Sequence, residues 1–339
     1  MNAQLRMDGI FPRHQPGDRF SHLTHIFATI ESRRQVMRSL IGAVSLSLMP
    51  STRATSARSH RTDARAEPTI AVESMESVVS PDGTRIAYLR AGAGPPLILV
   101  HGTADDHTIW TSVLPQLTEE FTCYAIDRRG RGGSGATNLE TYTIEREFED
   151  VAAVVDAIGE PAFLFGHSFG ALCSLEAALR TGNLRKLVLY EPPILIPPGS
   201  TGGMEEAVAR MERQFREGDL EGAVLTFARE IAQLPEDMIS AVRASPSWQM
   251  MIAIAPTIVY EVRAVGGYRF DPERFRQMTT PTLLLLGSES PPYMQAATGA
   301  VAEALPHNRQ VVLQDQGHLA METSPDLLAR EVVQYLVEE

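Results

Sequence analysis

From about residue 70 onward, short apolar runs alternate with segments whose apolar residues recur every three to four positions. "ESVVSPDGTRIAYLRAG" predicts two strands around a turn at Pro81-Asp82-Gly83. Six further runs, "PPLILVHG", "FTCYAIDRRG", "PAFLFGHS", "RKLVLYEPP", "PTLLLLGS" and "RQVVLQDQGH", are brief and rich in β-formers, as parallel strands buried on both faces must be. Between them, "TIEREFEDVAAVVDAIG" spaces Phe148, Val151, Val154, Val155 and Ile158 along one helical face and stops at Gly159. Pro325 to Val337 repeats the arrangement with Leu327, Leu328, Val332, Val333 and Leu336. This alternation predicts an α/β fold, a mostly parallel, doubly wound sheet covered by helices on both sides. Residues 194 to about 276 break it with helical segments alone, such as "MEEAVARMERQFREG" and "WQMMIAIAPTIVYEV", and predict a helical cap over one edge of the sheet.

The first 66 residues follow no such pattern and are rich in Arg, Ser, Thr and His. Within them Arg33 and Arg34 precede an apolar run, Leu40 to Met49, too short to span a bilayer, followed by Pro50 and small residues to Ala57. The stretch resembles a twin-arginine export signal, which implies a periplasmic or secreted protein with its α/β domain in residues 67–339. The alternative is a mis-assigned leader and a cytoplasmic protein. No membrane span is expected.

Composition narrows the partners. The chain has 339 residues, 44% of them apolar, enough for a large core. A net charge of -12 argues against nucleic acid or an acidic membrane surface, since both need a basic footprint. A small, hydrophobic molecule is the expected ligand, and the sequence leaves oligomeric state open. Cys123 and Cys173 lie inside apolar runs and read as buried free thiols. There is no H-x-x-x-H and no cysteine pair, so no metal and no cofactor are expected.

The chemistry concentrates in "FLFGHSFGALCSLEAAL", where Gly166-His167-Ser168-Phe169-Gly170 lies between a strand and a helix. A G-x-S-x-G in that context lifts the serine oxygen out of a sharp turn and aims the helix N-terminus at the same spot. On these residues the chain resembles the α/β-hydrolase fold family over nearly all of residues 70–339. The resemblance implies Ser168 as nucleophile, His318 of "DQGHLAM" as base, and the N–H groups of Thr103 and Phe169 as the oxyanion hole. It gives Asp127 and Arg129 of "DRRGRGGSG" bracing roles. His167 is expected to point away from the chemistry, and His107 at most to line the pocket.

The acid departs from the family pattern. Most relatives carry aspartate three residues after the glycine ending the penultimate strand, here Gly287, and that position is Ser290. Glu191, at the end of "LVLYE", is the preferred substitute, because some dehalogenases and macrolactone-cleaving hydrolases of this fold place their acid there. A strand-end carboxylate is also costly without a partner. Glu289 is the alternative and Asp315 a distant third. In the cap, Trp248, Met251 and Tyr260 are candidates for substrate contact. The implied reaction is hydrolysis of an ester, lactone or related acyl bond. Carbon-carbon bond hydrolysis, cofactor-free perhydrolase or haloperoxidase chemistry, and a non-enzymatic ligand sensor are the competing readings.

Overall fold

Along Pro96–Val100 every side chain is buried, yet the four residues after Pro96 serve two different cores. Leu97 and Leu99 pack with Trp110, Phe121 and Leu328, whereas Ile98 and Val100 pack with Phe148, Val151 and Leu172. Successive side chains of a strand face opposite ways, so such a run fixes a strand with apolar layers on both sides. The same division repeats at Phe163/Leu164 and at Leu187/Val188.

The computed structural model describes residues 72–137, 139–196, 203–245 and 247–338. The leader, with its export reading, lies outside these residues. Eight strands, Val72–Val79 (β1), Arg85–Gly92 (β2), Pro96–Val100 (β3), Thr122–Ile126 (β4), Ala162–His167 (β5), Leu184–Tyr190 (β6), Thr282–Gly287 (β7) and Asn308–Leu313 (β8), form one sheet. Its order is β1-β2-β4-β3-β5-β6-β7-β8. β1 and β2 make the hairpin predicted at Pro81-Asp82-Gly83, and β2 runs antiparallel to β4. Every pairing from β4 to β8 is parallel.

Nine helices longer than one turn accompany the sheet among the described residues: Ile144–Ile158 (α1), Phe169–Ala177 (α2), Met204–Glu217 (α3), Leu220–Thr226 (α4), Glu236–Arg243 (α5), Ser247–Ala253 (α6), Ala255–Gly267 (α7), Pro292–Ala304 (α8) and Pro325–Val337 (α9). α1 ends where predicted, with Gly159 taking the left-handed conformation (φ 78°) that closes a helix. Its buried face carries Glu147 and Asp150 beside the apolar residues, which the periodicity alone does not explain.

Helices α3 to α7 all lie between β6 and β7, with no strand among the described residues there. They share an apolar cluster containing Met211, Val224, Trp248, Ile258 and Val262, and Ala104 of the loop after β3 belongs to it. A second tie runs to α2. Glu176, buried on that helix, accepts from Tyr268 Oη at 2.7 Å and from both terminal nitrogens of Arg274 at 2.7 and 2.8 Å. No single described helix is long and apolar enough to cross a membrane.

Candidate active site

Ser168 joins β5 to α2 with φ 53° and ψ -125°, a conformation that L-residues avoid. Two glycines make it feasible. A Cβ on Gly166 would stand 2.4 Å from the carbonyl oxygen of Gly170, and one on Gly170 would stand 2.3 Å from that of Val100. Both contacts are backbone, so neither position can hold a side chain. The Ser168 amide donates to Tyr190 O at 2.8 Å, which extends the β5–β6 ladder and levels the serine with the end of β6.

The residue that follows Tyr190 is Glu191, fully buried and itself at φ 52°. Its Oε2 accepts from His318 Nδ1 at 2.5 Å. Its Oε1 accepts from the Gly287 amide at 2.7 Å and from Ser290 Oγ at 2.5 Å. The structure thus joins Glu191 to His318, and it answers the cost of the buried carboxylate with three donors. Glu289 is exposed and not brought to the histidine; its amide donates to Gln316 O at 2.9 Å. Asp315 is an exposed turn residue at φ 57°.

The loop bearing His318 is held through its main chain. His167 Nε2 donates to His318 O at 2.8 Å, and Tyr190 Oη donates to Gly317 O. The rings of His167 and His318 lie 4.5 Å apart. Burial, and then the neighbouring His318, holds the His167 imidazole well below its ordinary pKa, so it stays neutral as a fixed donor. This role was not legible in the sequence.

Facing Ser168 is the loop after β3, where a Cβ on Gly102 would come within 3.0 Å of Ser168 Cβ. Thr103 follows directly. Phe169, the other expected oxyanion residue, begins α2 and is fully buried. Asp127 braces this loop: its Oδ1 accepts from the amide and Nδ1 of His107 at 3.0 and 2.7 Å, and its Oδ2 from Gly133 N at 2.7 Å. His107 is therefore bound to the β4 loop by Asp127, a bracing role beyond simple lining. Asp106, His107 and Asp127 come close enough together to suggest a metal, but Asp106 Oδ1 is engaged by Thr108 N and Oγ1, and Asp127 by the bonds just given. Arg129 pairs with Asp150 at 2.6 and 2.7 Å and with Asp82 at 3.0 Å.

Two of the expected substrate contacts lie among helices α3 to α7. Trp248 is buried in the apolar cluster shared by helices α3 to α7, with Arg243 5.7 Å over its ring. Tyr260 lines a small groove with Glu212, Phe215, Arg216 and Arg263 of α3 and α7, and Arg263 covers its ring at 5.3 Å. Met251 is half-buried against the cluster that includes Ala104, next to Thr103.

A mostly parallel sheet carrying a serine at a strand-to-helix elbow, a histidine after its last strand and a carboxylate between them in the chain has α/β-hydrolase architecture. A sequence profile described as the Alpha/beta hydrolase family matches residues 97–331, more than half of the chain, and the chain belongs to that family. An α/β hydrolase from Sphaerobacter thermophilus is similar in structure, with 34% identity, a TM-score of 0.68, and coverage of 77% of this chain and 100% of that one. The esterase RhEst1 from a Rhodococcus species shows 28% identity and a TM-score of 0.60, covering 77% of this chain and 98% of its own. A Mycobacterium tuberculosis protein described as "Probable oxidoreductase EphD" is 36% identical over 118 residues, which span 33% of this chain and only 20% of that protein.

Proposed function

We propose that this protein is a serine hydrolase that cleaves an ester, lactone or related acyl bond of a small hydrophobic substrate through Ser168, His318 and Glu191. The observation that carries the reading is the 2.5 Å bond from His318 Nδ1 to Glu191 Oε2. With Nδ1 engaged there, the imidazole keeps Nε2 for proton transfer, and the carboxylate fixes that tautomer.

Ser168 Oγ attacks the substrate carbonyl while His318 Nε2 takes its proton. The oxyanion is bound by the N–H groups of Thr103 and Phe169, and the helix N-terminus adds its partial positive charge. Collapse expels the alcohol, which receives the proton from His318, and leaves an acyl-enzyme on Ser168. Water, deprotonated by the same nitrogen, then releases the acid. The apolar cap residues beside Ala104, Met251 among them, favour a neutral acyl group, and the likeness to an esterase points to the same bond class.

The test is pre-steady-state hydrolysis of p-nitrophenyl esters together with labelling of Ser168 by a fluorophosphonate. A burst and a Ser168 adduct, both absent in Ser168→Ala, are expected. Wild-type protein with neither turnover nor label would overturn the proposal.

A further inference from the structure

Arg128 is 1% exposed, a rare state for a guanidinium, and its place in the site was not visible from the sequence. Its Nε donates to His101 O at 3.1 Å and its Nη2 to Gly102 O at 3.0 Å. Its guanidinium carbon also lies 4.7 Å over the ring of Phe169. The ring belongs to Phe169 and the Gly102 carbonyl to the peptide group of Thr103, the two residues whose N–H groups are the proposed oxyanion donors.

The carbonyl of Gly102 and the N–H of Thr103 are opposite ends of one planar peptide group. A donor on the oxygen draws charge from the nitrogen and makes its N–H a stronger donor, on the order of 10–30% per bond. Gly102 O receives two such donors. His101 Nδ1 lies 2.8 Å from it, and His101 Nε2 accepts from the Arg128 amide at 3.1 Å, which fixes the tautomer that donates through Nδ1. Burial, followed by the charges of Arg128 and Arg131, keeps His101 neutral and well below its ordinary pKa.

Arg128 is held in turn from the cap. Glu261 of α7 accepts from Arg128 Nη2 at 2.9 Å and from Arg131 Nη2 at 2.6 Å, while Glu147 of α1 lies 3.2 Å from Arg128 Nη1. We propose that Arg128 is a positioning residue that orients and polarises the Gly102–Thr103 peptide, and that Glu261 sets its place, so a cap helix tunes the oxyanion hole. This inference rests on the reading of Ser168 as nucleophile and Thr103 N–H as an oxyanion donor.

A bound acyl carbonyl reports the strength of that hole directly. Ser168 of the full-length protein is acylated with a slowly hydrolysed cinnamoyl ester carrying a ¹³C carbonyl, and the carbonyl band is read by difference infrared spectroscopy. In Arg128→Met and Glu261→Gln the band is expected at higher frequency than in wild type. With esters, kcat should fall about 10–100-fold at little-changed KM, less than the 10²–10³ of deleting an oxyanion donor outright. Glu261→Gln keeps the side-chain shape and carries the test if Arg128→Met does not fold. Arg129→Gln, which breaks a buried ion pair outside the hole, should lower stability and leave the band unmoved. An acyl-enzyme whose band in both Arg128→Met and Glu261→Gln matches wild type would overturn this inference alone. Failure of wild type to form any acyl-enzyme would overturn the nucleophile assignment and this inference with it.

Discussion

Ser290 Oγ donates to the carboxylate of Glu191 at 2.5 Å, so the residue three after Gly287, where the family pattern leads one to expect the acid, supports the carboxylate proposed in its place. β6 and β7 are hydrogen-bonded neighbours, about 4.8 Å apart, a gap that a glutamate side chain spans. Glu191→Gln is therefore expected to lower kcat by roughly 10³–10⁴-fold with little change in KM, the scale seen when a triad acid is made neutral. Adding Ser290→Asp should restore part of the loss, since it returns a carboxylate to the neighbouring strand end. Steady-state kinetics of the single and double variants decide it; a Glu191→Gln enzyme with wild-type turnover would remove Glu191 from the triad.

Ser168 occupies its turn at a backbone cost, and glycine would not bear it. Ser168→Gly should abolish hydrolysis yet raise unfolding free energy by about 1 kcal/mol, the low end for a residue released from such a conformation. Denaturant unfolding monitored by circular dichroism measures this, and an equal or lower midpoint would show that the elbow stores no strain.

The glycines around the serine should differ sharply from a glycine elsewhere. Gly170→Ala drives a methyl to 2.3 Å from one backbone oxygen and 2.4 Å from another, and should cost about 3 kcal/mol or more or prevent folding. Gly182, with nothing within 4 Å of its would-be Cβ, should accept alanine with a change within roughly 0.5 kcal/mol. Expression yield and melting temperature separate the two.

Acidification should weaken the fold from the two buried neutral histidines. His101 and His167 have lowered pKa values in the folded chain, whereas the unfolded chain takes up their protons near pH 6.5. The unfolded state then binds more protons, so stability is full above about pH 6.5 and is lost as pH falls. Glu147 acts the other way: burial, against the pull of Arg128, pushes its carboxyl up to about 7, so its contribution is greatest below about 4.5 and fades as pH rises to 7. His167→Phe should flatten the loss of stability on acidification and Glu147→Gln should steepen it. Urea titrations between pH 5 and 7.5 read both slopes, and parallel curves for all three proteins would refute the assignment.

The strands and the long helices were legible because central strands such as Pro96–Val100 and Ala162–His167 bury both faces and helices such as Ile144–Ile158 bury one, and that requirement writes itself into the spacing of apolar residues. Ser168 and His318 were legible for another reason: the elbow needs its two glycines, and the base follows the last strand. Glu191 was visible as an expense, a charge at the end of an apolar run, and through the resemblance to relatives that place their acid there. Arg128, Glu147 and Glu261 were hidden because each looks like an ordinary surface charge until packing brings α1, α7 and the β4 loop together. Trp248 and Tyr260 mark the complementary limit, since an aromatic residue at helical spacing reads equally as core or as pocket wall.

His167 and Tyr190 grip the carbonyls of His318 and Gly317, so the His318 loop is anchored through its main chain as well as through the bond from the ring to Glu191. In the proposed mechanism the imidazole exchanges a proton at each turnover while the peptide beneath it stays anchored. Wear on the site falls on a proton, the lightest moving part available, and the scaffold needs no resetting between one substrate and the next.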